Sequence, residues 1–215
     1  MRRSDGFYRL RYRPVFLLPS PFKLSMKPAH DEPSDSLVTQ RLLLRPASRQ
    51  HTPTLLAYYL ANRTHLMPWE PLRHESFYTL QSVEMRLESM EQQIAAGNAI
   101  YLLLFKRDDG RLIGDCNFTN IVRGPFQACH LGFSIAHDHE GQGLMRECLE
   151  AAIPYVFVGL ELHRVMANYQ PENRRSARLL DGLGFKQEGV ARAYLKINGV
   201  WTDHVLTSLI NPAEV

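Results

Sequence analysis

The sequence predicts a single α+β domain with a mixed, mostly antiparallel sheet and helices on both of its faces. Segments with the two-residue period of strands alternate along the chain with segments of helical period. Two strand pairs are joined by Asp109-Gly110 and Asn198-Gly199, which are typical hairpin turns. The 215 residues are 45% hydrophobic and 22% charged, so the chain has enough apolar residues for a full core. Disordered, collagen-like and disulfide-stapled classes are excluded.

The first half of the domain predicts one strand, two helices and a hairpin. Alternating apolar residues indicate the strand, and Ser48 after it is a suitable N-cap for the first helix. The second helix has one apolar side and ends before Gly97, where a left-handed cap favours glycine. A proline-bounded loop, residues 66–76, separates the two helices. In chain order, we expect strand 37–45, helix 48–62, helix 79–96 and strands 99–106 and 112–120.

The second half predicts a long helix and a short helix between strands. Apolar residues recur at the spacing of one helical face from Met145 to Val156, and Pro154 is expected to kink this helix or mark its last turn. Gly184 is placed to cap the short helix. In chain order, we expect strand 127–136, helix 142–157, strand 163–169, helix 173–183 and strands 186–195 and 200–210.

Charge is unevenly distributed along the chain. The first 30 residues hold seven basic side chains and one acidic side chain, so they carry +6 and leave −3 for the remainder of a chain whose net charge is +3. We therefore expect a basic, disordered leader over 1–35 and the folded domain over 36–212. The leader is either an arm that contacts RNA or an anionic surface, or the product of a mis-assigned start upstream of Met26. The lack of a long amphipathic period favours the second interpretation.

Cysteine usage and hydropathy indicate the compartment. Apolar runs such as 151–160 are far shorter than the roughly 18 residues that a membrane-spanning helix needs. Cys116, Cys129 and Cys148 are too few and too irregularly spaced for a disulfide framework or a four-cysteine zinc site. We expect reduced thiols, a cytoplasmic location, and neither a membrane nor a DNA partner.

The turn before the long helix carries the first chemical signal. Gly141 and Gly143 are one residue apart, so the backbone can turn sharply and several N–H groups at the helix N-terminus can point at one anion. A pyrophosphate would fit there. A tight turn without a ligand explains this pair alone equally well. A dinucleotide-binding motif is excluded because position 146 is arginine instead of a third glycine.

Histidines in the same turn raise the question of a metal ion. His137 and His139 are close to several acidic residues, but no further ligands follow at the spacing of known metal sites. We therefore predict a solvated loop and no metal.

Asn173 and Ser176 form the second chemical signal. They are three residues apart, so they lie on the same side of the first turn of a helix and could hydrogen-bond an extended ligand that carries amide groups. Taken alone, the favoured interpretation is that Asn173 is an N-cap and Ser176 a first-turn residue.

The two signals, followed by Leu183-Gly184-Phe185, resemble the Gcn5-related N-acetyltransferase family, and the resemblance covers residues 37–210. Five separated blocks resemble the RimJ branch of that family, whose members acetylate the N-terminal alanine of a small-subunit ribosomal protein. These blocks are Met67-Pro68-Trp69-Glu70-Pro71, Asn117 to Gly124, Gly141-Gln142-Gly143-Leu144-Met145, Met166-Ala167-Asn168-Tyr169 and Trp201 to Leu206.

The resemblance implies a splayed strand pair, 127–136 and 163–169, whose gap receives the pantetheine arm of acetyl-CoA as a pseudo-strand. Backbone amides of the glycine loop would hold the pyrophosphate, Asn173 would bind pantetheine, and Ser176 would lie near the sulfur. The acceptor would be the N-terminus of a ribosomal protein. The implied cofactor-binding residues are Phe133, Ser134, Ile135, Glu140, Gly141, Gln142, Gly143, Leu144, Met145, Asn173 and Ser176.

Direct transfer to an α-amino group needs only a modest base, because such a group has a pKa near 8 whereas a lysine has a pKa near 10.4. His130 occupies a position where many relatives have an acidic residue, and Glu70 and Asp203 are the acidic alternatives. Glu70 could also bind the acceptor's ammonium group. A strand N–H near Leu131 or Phe133 would stabilise the oxyanion.

The chain departs from the family at two positions. Many relatives have a tyrosine acid where this chain has Leu180, so protonation of the thiolate is assigned to Ser176 or to water. Asp138 stands where the family favours Arg or Gln, and its charge opposes a pyrophosphate, an effect that Arg146 could offset. Two alternatives therefore stay open. One is acetylation of a small amine or amino acid, and the other is a non-catalytic module that binds acetyl-CoA or the ribosome.

Overall fold

The computed structural model describes residues 36–214, and the leader predicted over 1–35 lies outside them. The fold has the predicted class, since strands and helices alternate along the chain. In chain order the elements are β1 (Leu37–Val38), β2 (Leu42–Pro46), α1 (Thr52–Leu66), α2 (Leu80–Ala95), β3 (Ile100–Lys106), β4 (Leu112–Val122), β5 (Ala128–Ile135), α3 (Leu144–Gly159), β6 (Arg164–Tyr169), α4 (Arg174–Gly182), β7 (Lys186–Ile197) and β8 (Val200–Ile210).

The strands form one mixed sheet in the order β1-β2-β3-β4-β5-β6-β8-β7. Every neighbouring pair is antiparallel except β5 and β6, which run parallel and are connected through α3. The prediction of a mixed, mostly antiparallel sheet is therefore confirmed. No helix within residues 36–214 is both long and apolar enough to cross a membrane.

Alternation along the central strands divides the core between the two faces of the sheet. Leu42 and Leu104 point to the face covered by α3, where Cys148, Leu149 and Val156 are completely buried. Leu43, Leu103 and Phe105 point to the opposite face and pack under α1 and α2. Helices on both faces follow from this pattern, as predicted. Cys116, Cys129 and Cys148 are free and buried.

The N-terminal elements differ from the prediction. The expected strand 37–45 is a hairpin of two short strands, because the chain turns at Thr39, whose N–H donates to the carbonyl of Leu42 at 2.9 Å. Ser48 precedes a short 3-10 turn, Arg49–His51, and α1 begins after it. The helix then continues to Leu66 instead of stopping near residue 62, since Leu66 is buried and secures the last turn.

The pairing of β5 with β6 is short. Only Ala128, Cys129 and His130 have partners on β6, the last pair being His130 and Met166. Beyond this point β5 continues along β4 as far as Ile135, and β6 continues along β8 as far as Tyr169. The two strands therefore part within the sheet, and each presents an edge without a strand partner to the gap. This is the predicted splayed pair.

Gly114 allows β4 to approach the end of β5 beside this gap. A Cβ atom at Gly114 would overlap the carbonyl oxygen of Ser134 and lie 3.2 Å from the Cα of Ile135, and both of these are backbone atoms that cannot rotate away. A Cβ at Gly132, on the neighbouring strand, would meet nothing within 4 Å. The two glycines therefore form a matched pair for testing the packing at this point.

We expect Gly114→Ala to lower the free energy of unfolding by about 1–3 kcal/mol, because the added methyl forces β4 and β5 apart. Gly132→Ala should change it by less than about 0.5 kcal/mol. Urea denaturation of both variants measures the difference. Equal stabilities of the two variants would contradict the close approach of β4 and β5.

Candidate active site

A cleft of about 760 Å³ lies beside the end of β5, beyond the point where β5 and β6 part. It is bounded by the end of α1 and the loop after it, the end of β5, the glycine loop, and the first turns of α3 and α4. The lining residues that the sequence predicted are Glu70, Phe133, Ser134, Ile135, Glu140, Gly141, Gly143, Leu144, Met145, Asn173 and Ser176. The fold thus brings most of the predicted residues to one cavity.

The glycine loop has the conformation that an anion site requires. Gly141 and Gly143 have φ angles of +72° and +75°, which favour glycine, and Gly143 is the residue that caps the N-terminus of α3. Gly143, Leu144 and Met145 at this helix end line the cleft, so the helix dipole and the N-terminal N–H groups favour an anion there. Gln142 lies between the two glycines, but its side chain turns back and donates to the carbonyl of Asp138 at 2.8 Å.

Arg41 holds the glycine loop in place, and sequence analysis missed it. Its Nη1 donates to the carbonyl of Gln142 at 3.0 Å, and its Nε lies 2.6 Å from Oε2 of Glu147, in the first turn of α3. The Glu147 carboxylate also accepts from the backbone N–H of Arg41 and from the hydroxyl of Thr39. Because these residues are about a hundred positions apart in the chain, no local pattern indicates the contact.

The cleft wall is more basic than the glycine loop alone suggests. Arg146 on α3 and three arginines on α4, namely Arg174, Arg175 and Arg178, line it. Arg146 also donates to the carbonyl of Gly182, so it links α3 to the end of α4. Two carboxylates, Glu140 and Glu172, lie on the same side of the cleft, and a third, Glu70, lies on the opposite side. The four guanidinium groups therefore outnumber the carboxylates of the lining. The positive wall therefore suits a polyanionic ligand.

Asn173 is both a helix cap and a cleft residue. Its Oδ1 accepts from the backbone N–H of Ser176 at 3.1 Å, so the N-cap role expected from the sequence is present. This bond uses the oxygen of the amide, so the Nδ2 group is the part of the side chain that could donate a hydrogen bond to a ligand. Ser176 is half-buried on the same wall. Leu180, one turn further along α4, is 1% exposed and belongs to the core, so this position cannot present an acid to the cleft.

Glu70 lies at the other side of the cleft, in the predicted proline-bounded loop. The carbonyl of Glu70 accepts from the N–H of Asn198 at 2.8 Å, and the carbonyl of Pro68 accepts from Gln170 at 3.1 Å, so the loop is fastened to the β7–β8 turn and to the end of β6. The Glu70 side chain is 25% exposed. Burial raises its pKa, while Arg73, with its Nε 3.6 Å from Oε2, opposes that shift.

A polar network that the sequence did not indicate lies beside the cleft. Asp115 on β4 accepts from the hydroxyl of Ser134 at 2.7 Å and from the amide of Asn117 at 2.8 Å. The Ser134 hydroxyl is also 2.8 Å from the hydroxyl of Tyr58 on α1. Burial raises the pKa of Asp115 to about 6, and the charge of Glu70 adds to this effect, while the bonds from Ser134 and Asn117 oppose it.

Two predicted catalytic residues lie outside the cleft lining. His130 is the last residue of β5 that pairs with β6. Its side chain is half-buried on the same face of the sheet as Ser134, and burial lowers its pKa. Asp203 is exposed on β8 and accepts from the N–H of Ala193 at 2.8 Å. Since Ala193 has a φ of +46° in an irregular part of β7, Asp203 stabilises the β7–β8 hairpin.

A parted strand pair, a glycine loop at a helix N-terminus and an arginine-rich wall are together the features of an acyltransferase fold. Residues 41–186 match the family model of the acetyltransferase (GNAT) domain, and the chain belongs to this family of acetyltransferases.

Comparison with individual proteins supports this assignment. The chain is 46% identical over 180 residues to the [ribosomal protein uS5]-alanine N-acetyltransferase of Escherichia coli, covering 84% of this chain and 93% of the relative. The crystal structure of the ribosomal-protein-S5-alanine acetyltransferase from Vibrio fischeri has a TM-score of 0.79 and 37% identity over 82% of this chain and 97% of that one. Mycobacterium smegmatis RimJ in complex with CoA-disulfide has a TM-score of 0.75 and 25% identity, covering 81% of this chain and 83% of that one.

The raised pKa of Asp115 predicts a pH-dependent cost to stability. The folded-state pKa of about 6 exceeds the unfolded value of 3.8, so the native state binds this proton more tightly, and the contribution of Asp115 to stability falls as the pH rises from about 4 to about 6. Asp115→Asn lacks this titration. The difference in unfolding free energy between Asp115→Asn and wild type should therefore shift in favour of the variant by about 1–3 kcal/mol from pH 4 to pH 7. Urea unfolding at several pH values measures this difference. Asp181→Asn, which removes an exposed carboxyl from α4, is the control. The same pH dependence in wild type and Asp115→Asn would contradict the assignment.

Proposed function

We propose that this chain transfers the acetyl group of acetyl-CoA to the N-terminal α-amino group of a ribosomal protein that begins with alanine. The observation that carries the proposal is the gap between β5 and β6, since the same cleft reaches the glycine loop on one side and Glu70 on the other. The 46% identity to an alanine N-acetyltransferase supports the acceptor. An acceptor of this kind implies that the chain acts in the cytoplasm.

The cofactor would lie along the α3 and α4 side of the cleft. The backbone from Glu140 to Met145 would bind the pyrophosphate, and the arginines of α3 and α4 would balance the phosphate charge. The unpaired edge of β5 near Phe133 and Ile135 would hydrogen-bond the pantetheine amides, with the Asn173 amide as a further partner. The acetyl thioester would then lie beside Ser176, whose hydroxyl, or a water molecule, would protonate the departing thiolate.

The acceptor would enter beside Glu70. A carboxylate in a partly buried position binds an ammonium group strongly, and its raised pKa makes it a better proton acceptor than an exposed glutamate. Glu70 therefore has two roles in the proposal, binding the N-terminus and accepting its proton. The neutral amine attacks the thioester carbon, and a backbone N–H of Leu131 or Phe133 stabilises the oxyanion that forms. His130, the last residue of β5 that pairs with β6, is the alternative proton acceptor.

The function is tested by measuring the thiol released from acetyl-CoA in the presence of short peptides. We expect release with an alanine-initiated peptide and none with the same peptide acetylated at its N-terminus, because only a free α-amino group can attack. Peptides with other first residues, small amines and free amino acids complete the series. Faster release with a small amine or amino acid than with any peptide would overturn the proposed acceptor. Coenzyme binding without release by any of these would indicate a non-catalytic module.

Replacement of Glu70 separates acceptor binding from cofactor binding. We expect Glu70→Gln to raise the KM for the alanine peptide by about 10- to 100-fold, the loss of one charge-assisted hydrogen bond, and to leave the KM for acetyl-CoA unchanged. Glu75→Gln is the matched control, because Glu75 is in the same loop but is exposed and pairs with Arg63. Steady-state kinetics with each substrate varied gives both constants. An unchanged peptide KM in Glu70→Gln would exclude Glu70 from acceptor binding.

A further inference from the structure

Three side chains with metal-binding atoms meet beside the cleft, and two of them, His65 and Glu140, line it. His65 is in the last turn of α1, while His137 and Glu140 belong to the loop between β5 and α3. Their ligand atoms all lie within 4.8 Å of one another. The Nε2 of His65 is 3.6 Å from Oε1 of Glu140, and the Nδ1 of His137 is 3.7 Å from Oε2. The sequence could not show this group, because His65 is remote from the other two residues in the chain.

The spacing of these atoms is close to that of a tetrahedral metal site. Bonds of about 2.0–2.2 Å to nitrogen and oxygen at tetrahedral angles place neighbouring ligand atoms roughly 3.4 Å apart. The two distances to Glu140, one to each of its carboxylate oxygens, exceed this value by a few tenths of an ångström, and all three ligand atoms lie within 4.8 Å of one another. Rotation of the three side chains toward a common centre would supply three positions, and a fourth position would stay open for water or a phosphate oxygen.

The donor set selects the class of metal. Two imidazole nitrogens and one carboxylate oxygen suit zinc and similar transition metals, whereas magnesium and calcium prefer sites made of oxygen alone. A histidine must be neutral to bind a metal.

The electrostatic setting also favours a cation. Glu140 directly precedes the glycine loop, where a carboxylate opposes the binding of a phosphate. In the structure Arg175 pairs with Glu140, and its side chain is 65% exposed, so it can move away without breaking the core. The C-terminal end of α1 near His65 adds a partial negative charge. A divalent ion held here would neutralise Glu140 and free Arg175 for the phosphates.

We propose that His65, His137 and Glu140 form a binding site for a divalent transition metal ion of the zinc class, beside the phosphate-binding loop. This goes beyond the acetyltransferase activity, since the chemistry of acetyl transfer described above does not use the ion. Binding of the ion can also be measured without an acceptor, so a failure here is distinguishable from a failure of the proposed function.

The test is calorimetric titration of zinc chloride into the full chain after removal of metals with a chelator, near pH 7.5. We expect saturable binding of one zinc ion per chain. His65→Gln, His137→Gln and Glu140→Gln should each weaken it by at least about 10-fold, because each removes a ligand. His74→Gln is the matched control, since His74 is an exposed histidine that does not line the cleft, and it should bind zinc like wild type. Thermal unfolding confirms that each variant is folded.

Cobalt(II) gives a second readout, because a tetrahedral cobalt site has a visible absorption spectrum whose loss in the same variants reports the ligands directly. Absence of saturable zinc binding by wild type would overturn the proposal. So would equal affinity in wild type and the three ligand variants, since the ion would then bind elsewhere. Magnesium binding as tight as zinc binding would also overturn it, because the donor set would not be of the proposed class.

Discussion

The cleft exists because only a short stretch of β5 pairs with β6. Three residue pairs fix the two strands side by side, and the strands then follow different neighbours, β5 along β4 and β6 along β8. Because each strand keeps its other neighbour, the sheet can open without losing its remaining ladders. The opening leaves backbone donors and acceptors on the two inner edges, which would carry a free-energy cost if they were buried without partners. A ligand with an amide-bearing chain, such as the proposed cofactor, would supply those partners.

The walls of the opening are held by contacts that join distant parts of the chain. Arg41 and Glu147 fasten the glycine loop to the β1–β2 hairpin, and Asn198 fastens the Glu70 loop to the β7–β8 turn. The glycine-loop side and the Glu70 side of the cleft are therefore braced independently, by contacts to opposite ends of the sheet. Under the proposed function, the Glu70 loop could vary in sequence while the geometry of the glycine loop is kept, so acceptor choice would be separable from cofactor choice.

Local chemistry determined which features could be predicted from the sequence. The hairpin turns, the helix N-cap at Asn173 and the left-handed glycines at 141 and 143 each follow from a few adjacent residues, and the structure contains them. The hairpin within 37–45 was missed because it depends on one turn at Thr39. Arg41 and His65 gave no signal, since their partners are elsewhere in the chain, and the network of Asp115 depends on Ser134 on the neighbouring strand. The resemblance to a family gave the splayed strands, which no periodicity in β5 or β6 indicates.

The charges around the cleft show how a loop with acidic residues can still receive a polyanion. Asp138 and Glu140 would repel a pyrophosphate if they acted alone, and the sequence offered only Arg146 to offset them. The fold adds three arginines from α4, one of which already pairs with Glu140. Arg146 is committed to the carbonyl of Gly182, so it acts as a brace between α3 and α4 as well as a charge. Under the proposed function, cofactor binding would therefore depend on how α4 is placed against α3, and less on the basicity of the loop itself.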